Sequence, residues 1–134
     1  MKSLGGLLTF AIFAQLSMGV SSHAEVFVSN GETYRVTLLS PIGRITAPAV
    51  LPLTFTVTLN NGEPLSPDDL TITVDAAMIA HYHGLVRSPI VRRLRGTTFT
   101  VDGLFFHMPG EWDIFVDVKR GRILERTQWE IDVQ

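Results

Sequence analysis

Leu53-Thr54-Phe55-Thr56-Val57-Thr58-Leu59, written LTFTVTL, puts an apolar side chain at every odd position and a threonine at every even one. A strand sends successive side chains to opposite faces, so this segment buries its odd face and wets its even one. A helix would scatter the same residues around its circumference. The pattern recurs along the chain. Leu70, Ile72 and Val74 alternate with Thr71 and Thr73. Trp112, Ile114, Val116 and Val118 alternate mainly with acidic residues, and Trp129, Ile131 and Val133 face Gln128, Glu130 and Asp132. Tyr34 to Leu39, His81 to Val86 and Thr98 to Val101 are further candidate strands. Both tryptophans fall in apolar register, which assigns them to the core.

The separators are turn residues: Asn60-Asn61-Gly62 with Pro64 and Pro67, then Ser88-Pro89, Pro109-Gly110 and Arg120-Gly121. Asp68-Asp69 after Pro67 belongs to this turn chemistry. About seven short strands at regular spacing, with no amphipathic helix after the N-terminal segment, predict an all-β antiparallel sandwich of the immunoglobulin-like or fibronectin-like kind. A small barrel is the competing architecture.

Residues 1–24, MKSLGGLLTFAIFAQLSMGVSSHA, read as a signal peptide. Lys2 precedes an apolar stretch, and Ser22 and Ala24 supply the small-x-small cleavage signature, giving a mature start near Glu25. Gln15 and Ser17 interrupt the stretch, so a permanent anchor is disfavoured. With no cysteine in the chain, lipid anchoring, disulfides, thiol catalysis and cysteine metal sites are all excluded. Residues 25–134 suffice for a single domain with its own core. The whole chain carries a formal charge of −2, and loss of Lys2 makes it more acidic, which argues against a nucleic-acid partner. The expected location is periplasmic or otherwise extracytoplasmic, with no stable membrane insertion after cleavage.

One distribution carries the functional reading. After residue 24 the histidines are His81, His83 and His107, and the methionines are Met78 and Met108. All lie in MIAHYHG (residues 78–84) or FFHMPGEW (residues 105–112). Were residues 81–86 extended, His81 and His83 would share a face with α-carbons about 6.5–7 Å apart, close enough to converge on one ion. His107 and Met108 precede the Pro109-Gly110 turn; as neighbours on a strand they would face opposite ways unless the backbone twists. Met78 lies near the approach to the same site. Imidazole with thioether suits copper, Cu(I) in particular, whereas calcium and magnesium require oxygen and zinc has little use for methionine. The alternative is structural: methionines as gap-fillers and histidines as surface or turn residues.

Arg87, Arg92, Arg93 and Arg95 surround Ser88-Pro89 and are expected in a loop, as a solvated rim or as a dock for an acidic partner or anionic headgroups. No nucleophile elbow, phosphate loop or acid–base pair is present, so the chain reads as a binding protein and not as an enzyme.

His81-Tyr82-His83-Gly84, Pro89, Phe99, Val101, Gly103 to Phe106, Met108-Pro109-Gly110 and Trp112 together resemble the YtkA-like domains, a group related to the periplasmic part of FixH-type proteins. The resemblance spans roughly residues 70–133. It implies a small extracytoplasmic β-sandwich near copper-handling or cytochrome oxidase assembly systems, with His81 and His83 as metal-site residues joined by Met108 and His107. The partners so implied are a copper-dependent membrane enzyme or its assembly factors. Tyr82 departs from the pattern, because a small residue, often glycine, is common there. The absence of a following membrane helix points to a free exported module. The second functional reading is a non-metal interaction module that docks a membrane or envelope partner through the arginines.

Overall fold

The computed structural model describes residues 24–134, so the expected signal segment lies outside them except for Ala24. The strands are β1 (Val26–Val28), β2 (Tyr34–Leu38), β3 (Ala49–Leu59), β4 (Leu70–Met78), β5 (His83–Gly84), β6 (Ile90–Arg95), β7 (Thr98–Phe106), β8 (Gly110–Arg120) and β9 (Ile123–Val133). They form two antiparallel sheets, ordered β1-β2-β3-β7-β6 and β5-β4-β8-β9. The architecture is an all-β sandwich.

LTFTVTL behaves as its pattern requires. Leu53, Phe55 and Val57 are buried, and the threonines turn to the outer face. There Thr56 and Thr98 hydroxyls pair across β3 and β7 at 3.0 Å. From the facing sheet come Val74 and Ala76 of β4 and Trp112, Ile114, Val116 and Val118 of β8, all buried. Full burial of such side chains contributes about 1.5–3 kcal/mol each, which is what drives the two sheets together. Pro52, inside β3, has no amide to donate and lies beyond the end of β2. Opposite it the register shifts between Leu51 and Leu53, and Gly103 takes φ +78°, so β7 bulges at the point where a left-handed residue is needed.

Two strands are additional to those read from the sequence. β1 is only three residues long, too short for alternation to register. β6 replaces the loop expected for the arginines: Arg92, Arg93 and Arg95 lie on an edge strand paired with β7. Its side chains are nearly all exposed, so it has no apolar face from which to infer a strand.

The β1–β2 turn is pinned to β9 by Glu125. Its carboxylate accepts the Ser29 and Thr33 hydroxyls, with the Thr33 amide at 3.1 Å. Burial pushes the Glu125 carboxyl upward, but these bonds and one from the Gly31 amide outweigh it and hold the group below the ordinary carboxylate range.

Candidate functional site

The His/Met segments emerge from β4 and from the β7–β8 turn. Beyond Met78 the chain does not continue as the strand expected over His81 to Val86. Ile79–His81 form a single 3-10 turn, Tyr82 adopts a left-handed conformation at φ 55°, and only His83–Gly84 return as β5. The physical reason is the chain reversal: β5 must pair back onto β4, and the Tyr82 amide closes the turn by donating to the Ile79 carbonyl at 3.3 Å. Tyr82 is almost wholly exposed and occupies a backbone region that glycine enters freely. His81 and His83 therefore lie on the two sides of a tight turn and not two steps apart on one strand; both are exposed.

His83 is the cross-strand partner of Met78. Partners in an antiparallel pair point to the same face with Cβ atoms about 4.5–5.5 Å apart. Met78 faces the core and is 4% exposed, so by this pairing the His83 side chain leaves β5 on the same side, where it is nonetheless exposed. Met78 also reaches the second segment. A Cβ added to Gly110 would collide with the Met78 Cε, so the methyl rests directly on the Gly110 backbone, which runs at φ +134°. The gap-filling role weighed for Met78 is the one it has; it also links the two motifs.

At the β7–β8 turn, His107 and Met108 are half-buried. Trp112, fully buried, donates its indole N–H to the Met108 carbonyl at 3.2 Å and packs edge-on against Phe106, with ring centroids 5.2 Å apart. The His107 ring stands edge-on to the same indole at 5.6 Å. Its Nδ1 is buried with no hydrogen-bond partner among the described residues. Buried polar nitrogens are ordinarily satisfied, so an open one is a position at which a ligand would relieve a cost. Met108 packs partly against the core.

Both segments thus end up at one end of the sandwich. The fold joins His83 to Met78 by strand pairing and Met78 to Gly110 by contact. Among the described residues, however, no three His, Asp or Glu side chains stand together as a metal-holding group. The donor types at this end, exposed imidazoles, an imidazole with an unpartnered nitrogen and a thioether, match a soft ion in chemistry.

The arginines are largely engaged within the fold. Arg92 pairs with Asp102 at 3.0 Å. Arg93 donates to the Pro67, Leu70 and Gly96 carbonyls and lies over Phe99, while Arg87 covers Phe105. No helix among the described residues is long and apolar enough to cross a membrane. Comparison with protein-family models, with curated proteins and with solved structures finds no match.

Proposed function

We propose that the chain is an extracytoplasmic copper-binding carrier or accessory protein whose cargo sits at the end of the sandwich formed by the β4–β5 turn and the β7–β8 turn. One observation carries this reading: every histidine and methionine among the described residues, from Met78 to Met108, belongs to these two turns, which Met78 joins. His81 and His83 offer exposed nitrogens on a hairpin with room to rotate. His107 offers an unpartnered Nδ1, and Met108, the next residue along the chain, offers a thioether. A neutral set of imidazole and thioether favours Cu(I) and has no thiol to be lost to disulfide formation in an oxidising compartment. Exposed imidazoles suit a carrier, because an acceptor's ligands can replace them one at a time without opening a core. The cargo would be passed to a copper-dependent membrane enzyme or its assembly factors, the partners that the YtkA-like resemblance implies.

Competitive titration of the purified protein with Cu(I) and Cu(II) tests the proposal. Wild type should bind one ion, and His81→Ala/His83→Ala should lose at least about tenfold in affinity, the order that even outer-shell changes produce. Equal affinity in the double variant would refute the assignment. Capture of an envelope partner that depends on Arg92 and Arg93, from a protein indifferent to copper, would favour the interaction module instead.

A further inference from the structure

β9 is an outer strand of its sheet, and among the described residues its free edge is closed at two points only. At one end the Arg126 carbonyl accepts the Asn30 amide at 2.8 Å, and the Arg126 amide donates to Asn30 Oδ1 at 2.9 Å. At the other end the Gln134 amide donates to the Ile45 carbonyl, and the Gln134 carbonyl accepts the Ala47 amide, beside a parallel bridge from Ile45 to Val133. Arg126 and Gln134 thus direct both backbone groups away from β8. Antiparallel pairing alternates strictly, and β8 and β9 run in unbroken register. The amides and carbonyls of Gln128 and Glu130, and the amide of Asp132, must therefore point outward as well. Among the described residues nothing pairs with them. The result is an open stretch of strand edge about 13 Å long, from Gln128 to Asp132, bracketed by two closed ends.

Trp129 to Asp132 of this stretch form one wall of an open groove of about 530 Å³. The opposite wall is Val26 and Phe27 of β1, and Ile42-Gly43 lies at one end. Phe27 stacks flat on Trp129 at 4.3 Å, giving the groove an aromatic base. The Trp129 indole N–H is buried with no acceptor among the described residues, a further unpaired donor in the same place. Every charged residue lining the groove is acidic: Glu25, Glu130 and Asp132. Of the other outer strands, β6 differs in charge, since three arginines stand on it and repel a basic strand.

We propose that this groove is a docking site for an extended, basic peptide segment of a partner protein, which adds to β9 as a short strand between the two closures. Main-chain bonds to Gln128, Glu130 and Asp132 supply affinity, alternate apolar side chains rest on the Phe27–Trp129 stack, and lysine or arginine side chains meet the three carboxylates. Unpaired edge groups make such pairing favourable, and the acidic rim favours basic strands over neutral ones and repels acidic ones. The inference is independent of the copper site, which is built from other strands.

The test uses a fluorescent synthetic peptide of about seven alternating valine and lysine residues, enough to span the open edge. Micromolar binding to the purified chain is expected, reduced at least tenfold when every peptide nitrogen is methylated and when glutamate replaces lysine. Glu130→Pro removes an outward amide without touching the β8 ladder, so it should reduce binding similarly while leaving the fold intact. No binding, or equal binding by the methylated peptide, would overturn the proposal; the peptide arms use the wild-type chain, so they decide it even should Glu130→Pro fail to fold. Sedimentation without peptide should show a monomer. Self-association abolished by Glu130→Pro would assign the groove to a second copy and overturn the peptide partner.

Discussion

Replacing Gly110 with alanine probes the contact that joins the two His/Met turns. The new Cβ would meet the Met78 methyl in space already filled, on a backbone at φ +134°. The conformational cost of a non-glycine residue there is about 1–2 kcal/mol. The steric cost is set by Met78, whose clashing atom is the far end of a flexible side chain but is buried at 4% exposure. Partial rotation keeps that term near the low end for overpacking, about 1 kcal/mol. Gly110→Ala should therefore cost about 2–3 kcal/mol in urea or thermal unfolding. Met78→Ala alone should cost about 2–5 kcal/mol through its cavity. In the double variant the cavity accepts the new methyl while the backbone strain persists, so the combined loss should fall short of the sum by about 1 kcal/mol. Independent sites add to within about 0.3–0.5 kcal/mol. Simple additivity in the cycle would refute the claim that Met78 connects the turns.

Glu125 yields a pH dependence. Its folded carboxyl titrates below the ordinary range, so the stability it adds is present above the unfolded value, about 4.3, and is lost as pH falls through the folded one. Urea midpoints taken from pH 6 to pH 3 should fall less steeply for Glu125→Gln than for wild type; parallel curves would contradict this. Trp112→Phe removes the donor to the Met108 carbonyl and leaves a smaller ring against Phe106. The unpaired carbonyl alone should cost about 1–3 kcal/mol by chemical denaturation, and a loss under about 0.5 kcal/mol would mean that the indole does not hold the turn.

How much of this was legible in the sequence depends on whether one strand face meets water and the other meets the core. Where it does, as in Leu53 to Leu59 or Trp112 to Val118, alternation located the strand and named its buried residues. β6 escaped because its pairing to β7 is satisfied by backbone while all its side chains but that of Val91 are exposed, so Ile90 to Arg95 has no periodicity to read. The turn at Tyr82 escaped for a different reason. Left-handed backbone is ordinarily announced by glycine, and here a tyrosine adopts it. The His81–His83 geometry was consequently read as a strand pair when it is a hairpin turn. The approach of Met78 to Gly110 comes from register between β4, β5 and β8, long-range information that local spacing does not contain. The open edge of β9 is less legible still. It depends on which backbone groups are left over after Asn30, Ile45 and Ala47 have taken theirs.

The most direct test of copper binding is a Cu(I) titration followed by NMR of the imidazole nitrogens and the methionine methyls. Cu(I) is diamagnetic, and among the described residues only His81, His83, His107, Met78 and Met108 carry such probes. Stoichiometric shifts in His81 and His83 together with His107 or the Met108 methyl would establish that the two turns hold one ion. Spectra that do not change, or changes confined to one turn, would contradict it.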